Sequence, residues 1–525
     1  ITTKRGAQGA PRINFNAELG WQVVANKIDL MNGKEFGQYV NDIDLTEPGP
    51  YNVDQLSSTD WQDEIYNDYA PIQSYSFSFG GASEKVDYYF GLGYFGQEGI
   101  LPKSGLERIT TKINTNYEIA KNLDIGLSLS VALKEKQNSP GVVNTALRAW
   151  PIDAPYTTDP ATGEKIFAEV QGGGNALAAI EYTNNVNKSI ESVGNVFAQY
   201  AFLDGFSVKS SLQFSLGMSK NKSFTPEYFV APLQQNETSD ISQSYNDNSF
   251  VLWENTISYV KEIGVHRFNT VAGYTTQRVK SEFLSGSAQN LLRDGESFWY
   301  IDASDGDPLL QDVSNNASHS AIQSYLFRFN YSLMNKYLFT ATYRRDGSSK
   351  FGPNNRYGVF PSLALGWNLS EEAFFPEVSF LGNVKLRASW GIVGNDKISY
   401  DAQFPQIDQS FGAVFGQNEQ YVAGAAYATG GNPNLKWEET EQFDIGLNFD
   451  MFNGRLVSEM DYYVKTTNDI LVNLEPIGYT GLGAFQQIVY NVASVENKGF
   501  EFSLNWQDDI GNFNYKLGFL GSTVK

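Results

Sequence analysis

The 525-residue sequence predicts an all-β chain, a transmembrane antiparallel up-and-down β-barrel with short turns at one rim and long loops at the other. Three observations carry this prediction. Apolar and small polar residues alternate with period two over many segments, which is the signature of strands with one apolar and one wet face. Many of these segments approach the ~10 residues that cross an outer membrane at a tilt. The links between them are short and long in turn, which places all short turns on one side of an up-and-down sheet.

Along the chain, about seventeen segments fit the pattern, a number to set against the even strand counts of bacterial single-chain barrels. Their centres are 12–22, 72–80, 87–96, 107–117, 122–134, 191–202, 205–218, 249–260, 266–279, 321–332, 336–345, 356–368, 384–392, 440–450, 454–466, 498–507 and 511–522. In 122–134, Leu123, Ile125, Leu127, Leu129, Val131 and Leu133 alternate with Asp124, Gly126, Ser128, Ser130 and Ala132. The segment 205–218 sets Phe206, Val208, Leu212, Phe214, Leu216 and Met218 against Ser207, Lys209, Ser211, Gln213, Ser215 and Gly217. The small polar face suits a wet lumen, and the apolar face suits lipid. Tyr88 and Phe90 fall on the same apolar face.

Short links such as Leu203-Asp204-Gly205, Leu333-Met334-Asn335-Lys336 and Phe452-Asn453-Gly454 supply the Gly, Asn and Asp that tight hairpins need. Long links fall at 24–71, 135–190, 219–248, 281–320, 393–439 and 467–497. A short outer link near 97–106 and a longer inner one, 370–383, break the rule, and Glu371-Glu372-Ala373-Phe374-Phe375 in the latter predicts a brief helix. An odd strand count with a last strand running almost to Lys525 predicts a barrel that is incomplete at the C-terminal end.

Composition then removes whole chemistries. Cysteine is absent, so disulfides, thiolate zinc sites and thiol nucleophiles are excluded. The two histidines, His266 and His319, are too far apart for a His-x-x-x-His metal signature; His266 falls beside an inner turn and His319 near a loop end. The net charge of −21 argues against nucleic acid, which requires a basic footprint. No apolar run is long enough for a membrane-spanning helix, and residues 1–6 do not form a signal peptide. Neither a G-x-S-x-G elbow nor a P-loop occurs, so the chain is not expected to be an enzyme.

Several blocks resemble the SusC/RagA family of TonB-dependent outer-membrane transporters. They are Thr59-Asp60-Trp61-Gln62-Asp63-Glu64-Ile65 with Ala70-Pro71-Ile72-Gln73, and Gly93-Tyr94-Phe95-Gly96-Gln97-Glu98-Gly99. The most distinctive runs from Tyr343-Arg344-Arg345-Asp346-Gly347-Ser348-Ser349-Lys350-Phe351-Gly352 to Phe360-Pro361-Ser362. Lys385-Leu386-Arg387-Ala388-Ser389-Trp390-Gly391, Gly394-Asn395, Asn432-Pro433-Asn434-Leu435-Lys436-Trp437-Glu438 and Val495-Glu496-Asn497-Lys498-Gly499 follow in order. The resemblance implies a barrel of about 22 strands around an N-terminal plug, driven by TonB and lidded by a SusD-like lipoprotein on the extracellular face. Ile1-Thr2-Thr3-Lys4-Arg5-Gly6 resembles the end of that plug. The domain expectation is therefore 1–6 for the end of the plug and 7–525 for the barrel, with nearly all of the plug, the TonB box and the last strands not represented.

Candidate site residues sit in the long links. Trp150, Tyr156, Trp299, Tyr300, Tyr421 and Tyr427 have no lipid-facing duty, and a flat ring with a polar edge stacks on a sugar or an apolar side chain. Trp61 falls inside a family block, which points to a structural role. Asp302, Asp305 and Asp307 flank Gly306 in an acidic run that could wrap a divalent cation such as calcium, although the EF-hand spacing is absent; such an ion could also bridge to lipopolysaccharide. The link 24–71 holds ten acids against Lys27 and Lys34, a field that would steer cationic ligands. Gly91-Leu92-Gly93-Tyr94-Phe95-Gly96 fits G-x-G-x-x-G, but the alternation of Tyr88, Phe90, Leu92 and Tyr94 continues through it, so it is read as strand rather than as a cofactor turn.

The function expected is TonB-dependent import of a nutrient across the bacterial outer membrane, an oligosaccharide by resemblance, with peptides the main rival. The alternative is a non-transporting barrel in an adhesion or secretion assembly. A soluble carbohydrate-binding β-protein is the third reading, and extraction without detergent would distinguish it.

Overall fold

The computed structural model describes residues 9–44, 49–376, 378–408, 412–417, 419–477, 487–511 and 513–525. Residues 1–6, read above as the end of a plug, lie outside the described residues. Seventeen strands form one sheet. They are β1 (Gly9–Gln22), β2 (Ala70–Ala82), β3 (Val86–Glu98), β4 (Gly105–Ala120), β5 (Leu123–Gln137), β6 (Asn184–Leu203), β7 (Phe206–Thr225), β8 (Asp240–Ile263), β9 (His266–Gln289), β10 (Gln311–Leu333), β11 (Tyr337–Ser348), β12 (Tyr357–Asn368), β13 (Leu381–Asn395), β14 (Glu438–Met451), β15 (Leu456–Leu474), β16 (Ile488–Ile510) and β17 (Phe513–Val524). Every strand pairs antiparallel with the next, so chain order and sheet order coincide and β1 and β17 are the two edges. The run Gly91–Gly96 lies wholly inside β3, as its alternation predicts.

The ladders fix which side chains share a face. Leu127 stands opposite Thr115 of β4 and Val196 of β6, and Leu129 opposite Ile113 and Gly194. Ser128 stands opposite Asn114 and donates to its Oδ1 at 2.6 Å. On β7, Val208, Leu212, Leu216 and Met218 are exposed, while Ser211 is buried and donates to Asn195 Oδ1 at 2.7 Å. One face is thus apolar and bare, and the other is polar and cross-linked, as a lipid face and a wet lumen require.

Hairpin turns follow from local backbone chemistry. The two-residue turn Asp204-Gly205 between β6 and β7 needs φ +83° at Gly205, where a Cβ would stand 2.3 Å from the carbonyl oxygen of Val260. Met334 and Phe452 also take positive φ, at 54° and 57°, in turns where only Gly, Asn and Asp suggest it from sequence.

Strand length is the main departure from expectation. β8 and β9 are 24 residues each and β10 is 23, well over the ~10 that cross the membrane. The expected long links 219–248 and 281–320 contract to 226–239 and 290–310, and 467–497 contracts to 475–487, of which 478–486 lie outside the described residues. Beyond the lipid both faces of a strand are wet, so a stretch such as Asp240-Ile241-Ser242-Gln243-Ser244 loses the apolar alternation and reads as loop. His319 accordingly lies within β10 rather than at a loop end. The helix expected over 371–375 is replaced by a 3-10 turn, Leu369–Glu371, whose single Glu372 N–H bond to Leu369 is too short a nucleus to propagate.

Three buried clusters hold the long links. Trp61, Ile65, Val142, Ala146, Ala176 and Ile180 join links 23–69 and 138–183. Phe224, Ile241, Ala288 and Leu291 join β7, β8 and β9 to link 290–310. Phe351, Phe360, Leu435 and Trp437 join the turn after β11 to the link before β14.

Candidate functional site

The first cluster builds a small helical module at the long-link rim. Helix α1 (Gly33–Ile43) opens on a capping box between Asn32 and Glu35. Helix α2 (Trp61–Ile65) is capped by Asp60, whose side chain accepts from Gln62 and Asp63. Helices α3 (Val143–Arg148) and α4 (Ala176–Tyr182) come from the second link, and Asn175 caps α4. Asn175 is fully buried and donates to the carbonyls of Pro155 and Ala168, while Gln234 from the link after β7 donates to the Asn175 carbonyl. Buried Gln62 exchanges two bonds with the backbone of Ile28. These satisfied amides lock the module in place at little desolvation cost.

Between the two links lies a cavity of about 540 Å3, lined by Ile28, Met31, Phe36, Trp61, Arg148 and Trp150 among others. That size and mixture of apolar walls with a few charges is typical of small-molecule sites. Trp150 packs on Phe36 with ring centroids 5.2 Å apart. Its carbonyl, not its ring, anchors the scaffold by accepting from Trp61 Nε1 at 3.0 Å. Trp61 is 2% exposed, which agrees with a structural role.

The other predicted aromatics are dispersed. Tyr156 belongs to a small hairpin, Tyr156–Thr158 with Lys165–Phe167, where it stacks on Phe167 and carries Lys165 Nζ 3.6 Å above its ring. Tyr421 and Tyr427 belong to two small two-stranded ladders in the link before β14 and are exposed. Trp299 packs against the second buried cluster. It stacks on Phe224 at 4.5 Å and donates to the carbonyl of Asp294. Phe224 shares its face of β7 with Val208, Leu212 and Leu216 along an unbroken ladder, so Trp299 and the exposed Tyr300 cover the outer wall and not the lumen. The cause is plain: Phe224, Ile241 and Ala288 are outward apolar residues above the lipid, and a folded-back loop shields them from water.

The acidic run is held by its own turns. Asp305 accepts from the N–H of Asp307 at 3.0 Å and from Asn290 at 2.6 Å, and Asp307 accepts from the N–H of Leu309 at 2.9 Å. These carboxylates cap turns rather than converge with Asp302, and among the described residues no group of three or more His, Asp or Glu is placed to hold a metal ion. The backbone bond from Asp307 and the bond from Asn290 hold the Asp305 carboxyl below its ordinary value. A depressed carboxylate stabilises above its unfolded pKa, and the contribution is lost as pH falls through the folded one. Link 290–310 should therefore show unchanged Trp299 fluorescence from neutral pH down to ordinary carboxylate pKa values and loosen below them, and Asp305→Asn should abolish that acid step.

Lumen residues missed by sequence reasoning form a charged network on β13 to β16. Arg387 donates to Asn448 at 2.7 Å and bridges Glu459 and Asp461. Gly446, between Asp461 and Arg387 in the ladders, is the residue that lets them meet, since a Cβ there would lie 2.2 Å from Asp461 Oδ1 and 2.9 Å from Arg387 Nε. Glu501 stands opposite Asp461, and Asp444 shares the face. A second lumen pair, Arg344 with Asp346, includes buried Ser324. The only hint of these in the sequence is that Arg344, Asp346 and Arg387 fall inside the family blocks.

Residues 134–524 match the family described as TonB dependent receptor-like, beta-barrel. The chain belongs to this family. TonB-dependent receptor P3 of Formosa agariphila is 31% identical over 518 residues, covering 96% of this chain and 50% of that protein. TonB-dependent receptor SusC of Bacteroides thetaiotaomicron is 29% identical, covering 96% of this chain and 51% of that protein. This TonB-dependent receptor barrel thus spans about half the length of the curated relatives it matches. The RagAB peptide importer in its closed-closed state shares the fold, with TM-score 0.80 and 21% identity over 99% of this chain and 62% of that one. Barrels of this family sit in the outer membrane, so the bare apolar face is the lipid face and the cross-linked polar face is the lumen.

Proposed function

We propose that this barrel belongs to a SusC/RagA-type importer that moves a neutral or cationic oligosaccharide or peptide across the outer membrane, with TonB supplying the work and a SusD-like lipoprotein closing the extracellular face. The supporting observation is the lumen wall, where Asp444, Glu459, Asp461 and Glu501 outnumber the neighbouring cations Lys385 and Arg387 on the same face. Such a wall repels polyanions and passes neutral or positive solutes. The cavity beside Trp150 is the ligand subsite on this reading, and no covalent step is required of any residue. The relatives named SusC and RagAB support the class of transport.

In cells carrying the full-length gene, uptake of labelled oligosaccharides or peptides should vanish on deletion of the gene or of TonB. Trp150→Ala should weaken uptake affinity about tenfold, the loss of one ring contact of ~1.5 kcal/mol, with barrel abundance unchanged because the Trp61 bond uses the backbone. Uptake of both classes that is indifferent to gene deletion would refute import.

A further inference from the structure

The outer wall carries a cationic site that import does not explain. On β7 the lipid-facing series Leu212, Phe214, Leu216, Met218 is followed on the same face by Lys220 and Lys222. Lys188 of β6 stands directly opposite Lys220. Met218 is 58% exposed and Ile190, opposite it, 49%, so lipid contact runs up to one pleat repeat, roughly 7 Å, below these amines. Three ammonium groups therefore sit together where the lipid face ends.

Like charges directly opposite on a sheet face are unfavourable, and this chain, at −21, has no shortage of acids to separate them. Only Lys188 uses one, pairing with Glu135 at 3.0 Å. Lys220 and Lys222 form no ion pair among the described residues. Their Nζ atoms lie over aromatic rings instead, Lys220 over Tyr245 at 5.2 Å and Lys222 over Tyr300 at 4.5 Å. Tyr300 is delivered by link 290–310, whose packing on Phe224 brings its ring above the lysine. The same face also carries Asp247 opposite Met218, Glu282 opposite Asp247 and paired with Lys280, and Glu107 opposite Glu135. The rings hold the lysines in place without neutralising them, which leaves the site with charge to offer a ligand.

We propose that Lys188, Lys220 and Lys222, framed by Tyr245 and Tyr300, bind the phosphate of a phosphorylated glycolipid headgroup in the outer leaflet. Ammonium groups on neighbouring and diagonal positions, about 5 and 7–8 Å apart at Cβ, can share the oxygens of one phosphate. The acyl chains would lie along Ile190, Met218 and Leu216 below. A membrane lipid fits better than a soluble anion because the site is continuous with the lipid face and turned away from the lumen. On this assignment, link 290–310 serves lipid contact through Tyr300, which gives a role to an aromatic pair that lies off the ligand path.

The test uses full-length protein purified in detergent and stripped of bound lipid. Three probes are titrated: lipid A bearing its phosphates, dephosphorylated lipid A with the same acyl chains, and inorganic phosphate alone. Wild type should prefer phosphorylated lipid A, and Lys220→Gln with Lys222→Gln should lower that affinity at least about tenfold, as expected for two lost charge-assisted contacts. Lys209→Gln, on the lumen face over Phe197, should change nothing. Equal binding of the two lipids by wild type, or full affinity in the double variant, would overturn the proposal. Displacement of the lipid by low concentrations of inorganic phosphate would overturn it in favour of a soluble-anion site. Should the double variant fail to reach the membrane, salt decides: wild-type affinity for lipid A should fall between about 0.05 and 0.5 M salt as screening grows, and salt-insensitive binding overturns the assignment.

Discussion

Leu127→Arg should remove most of the folded barrel from the outer membrane, while Ser128→Arg should leave most of it in place. The two residues are neighbours on β5 and differ only in the face they occupy. Leu127 lies among Thr115 and Val196 on the lipid side, with Ile125 and Leu129 on either side along the strand. A guanidinium there enters hydrocarbon at a cost of ~2–4 kcal/mol near the bilayer midplane. Ser128 faces the lumen, and its replacement loses the bond to Asn114, worth about 1 kcal/mol, while the new charge remains in water. Heat-modifiable mobility of full-length protein in isolated outer membranes reads the difference. Equal loss for both variants would sink the face assignment on which the lumen and the outer lysine site both depend.

That assignment was legible in the sequence because lipid imposes it. Only the membrane-crossing part of each strand must be apolar on one side, and there the period-two signal located all seventeen strands. The same logic explains what was missed. Residues 240–246 and 283–289 rise above the last lipid-facing row at Met218, so Ser, Asn, Gln and Asp replace the alternation over 240–246 and the extension becomes invisible. Loop aromatics lack a lipid duty, which from sequence points Trp299 to ligand contact, while its partner Phe224 continues the outward series of β7. The β7 alternation continues past Met218 to Phe224, and an outward Phe above the membrane calls for a cover. Trp150 needed no such extension, since its loop folds into a module of its own with a cavity beside the ring. Long-range ladders bring Arg387, Glu459 and Asp461 together, and no local pattern in a single strand encodes their meeting.

Phe351→Ala should cost ~3–5 kcal/mol, the range for truncating a fully buried aromatic, and should do so at the mouth of the lumen rather than in the barrel wall. Phe351 is 0% exposed and packs on Trp437 at 5.3 Å, and Trp437 meets Phe360 edge-on at 5.3 Å. Phe360 belongs to the inward series of β12, opposite in phase to exposed Val359, Leu363 and Leu365, so the cluster closes over the inner face. Polar clamps sit around it: buried Ser348 donates to Asp396 at 2.8 Å, Trp437 Nε1 donates to the carbonyl of Arg356 at 3.0 Å, and Lys436 pairs with Asp469 at 2.7 Å. Truncation leaves a cavity and frees the link before β14 from these clamps, whereas the ladders of β11, β12 and β14 keep their own hydrogen bonds. The expected result is rapid hydrogen exchange over 396–437 with near-wild-type protection in the paired strands. Uniformly raised exchange through β11 to β14 would instead mean that the cluster holds up the wall itself. On the import reading, the released link would also raise leakage of small solutes, which ties Phe351 to control of the lumen.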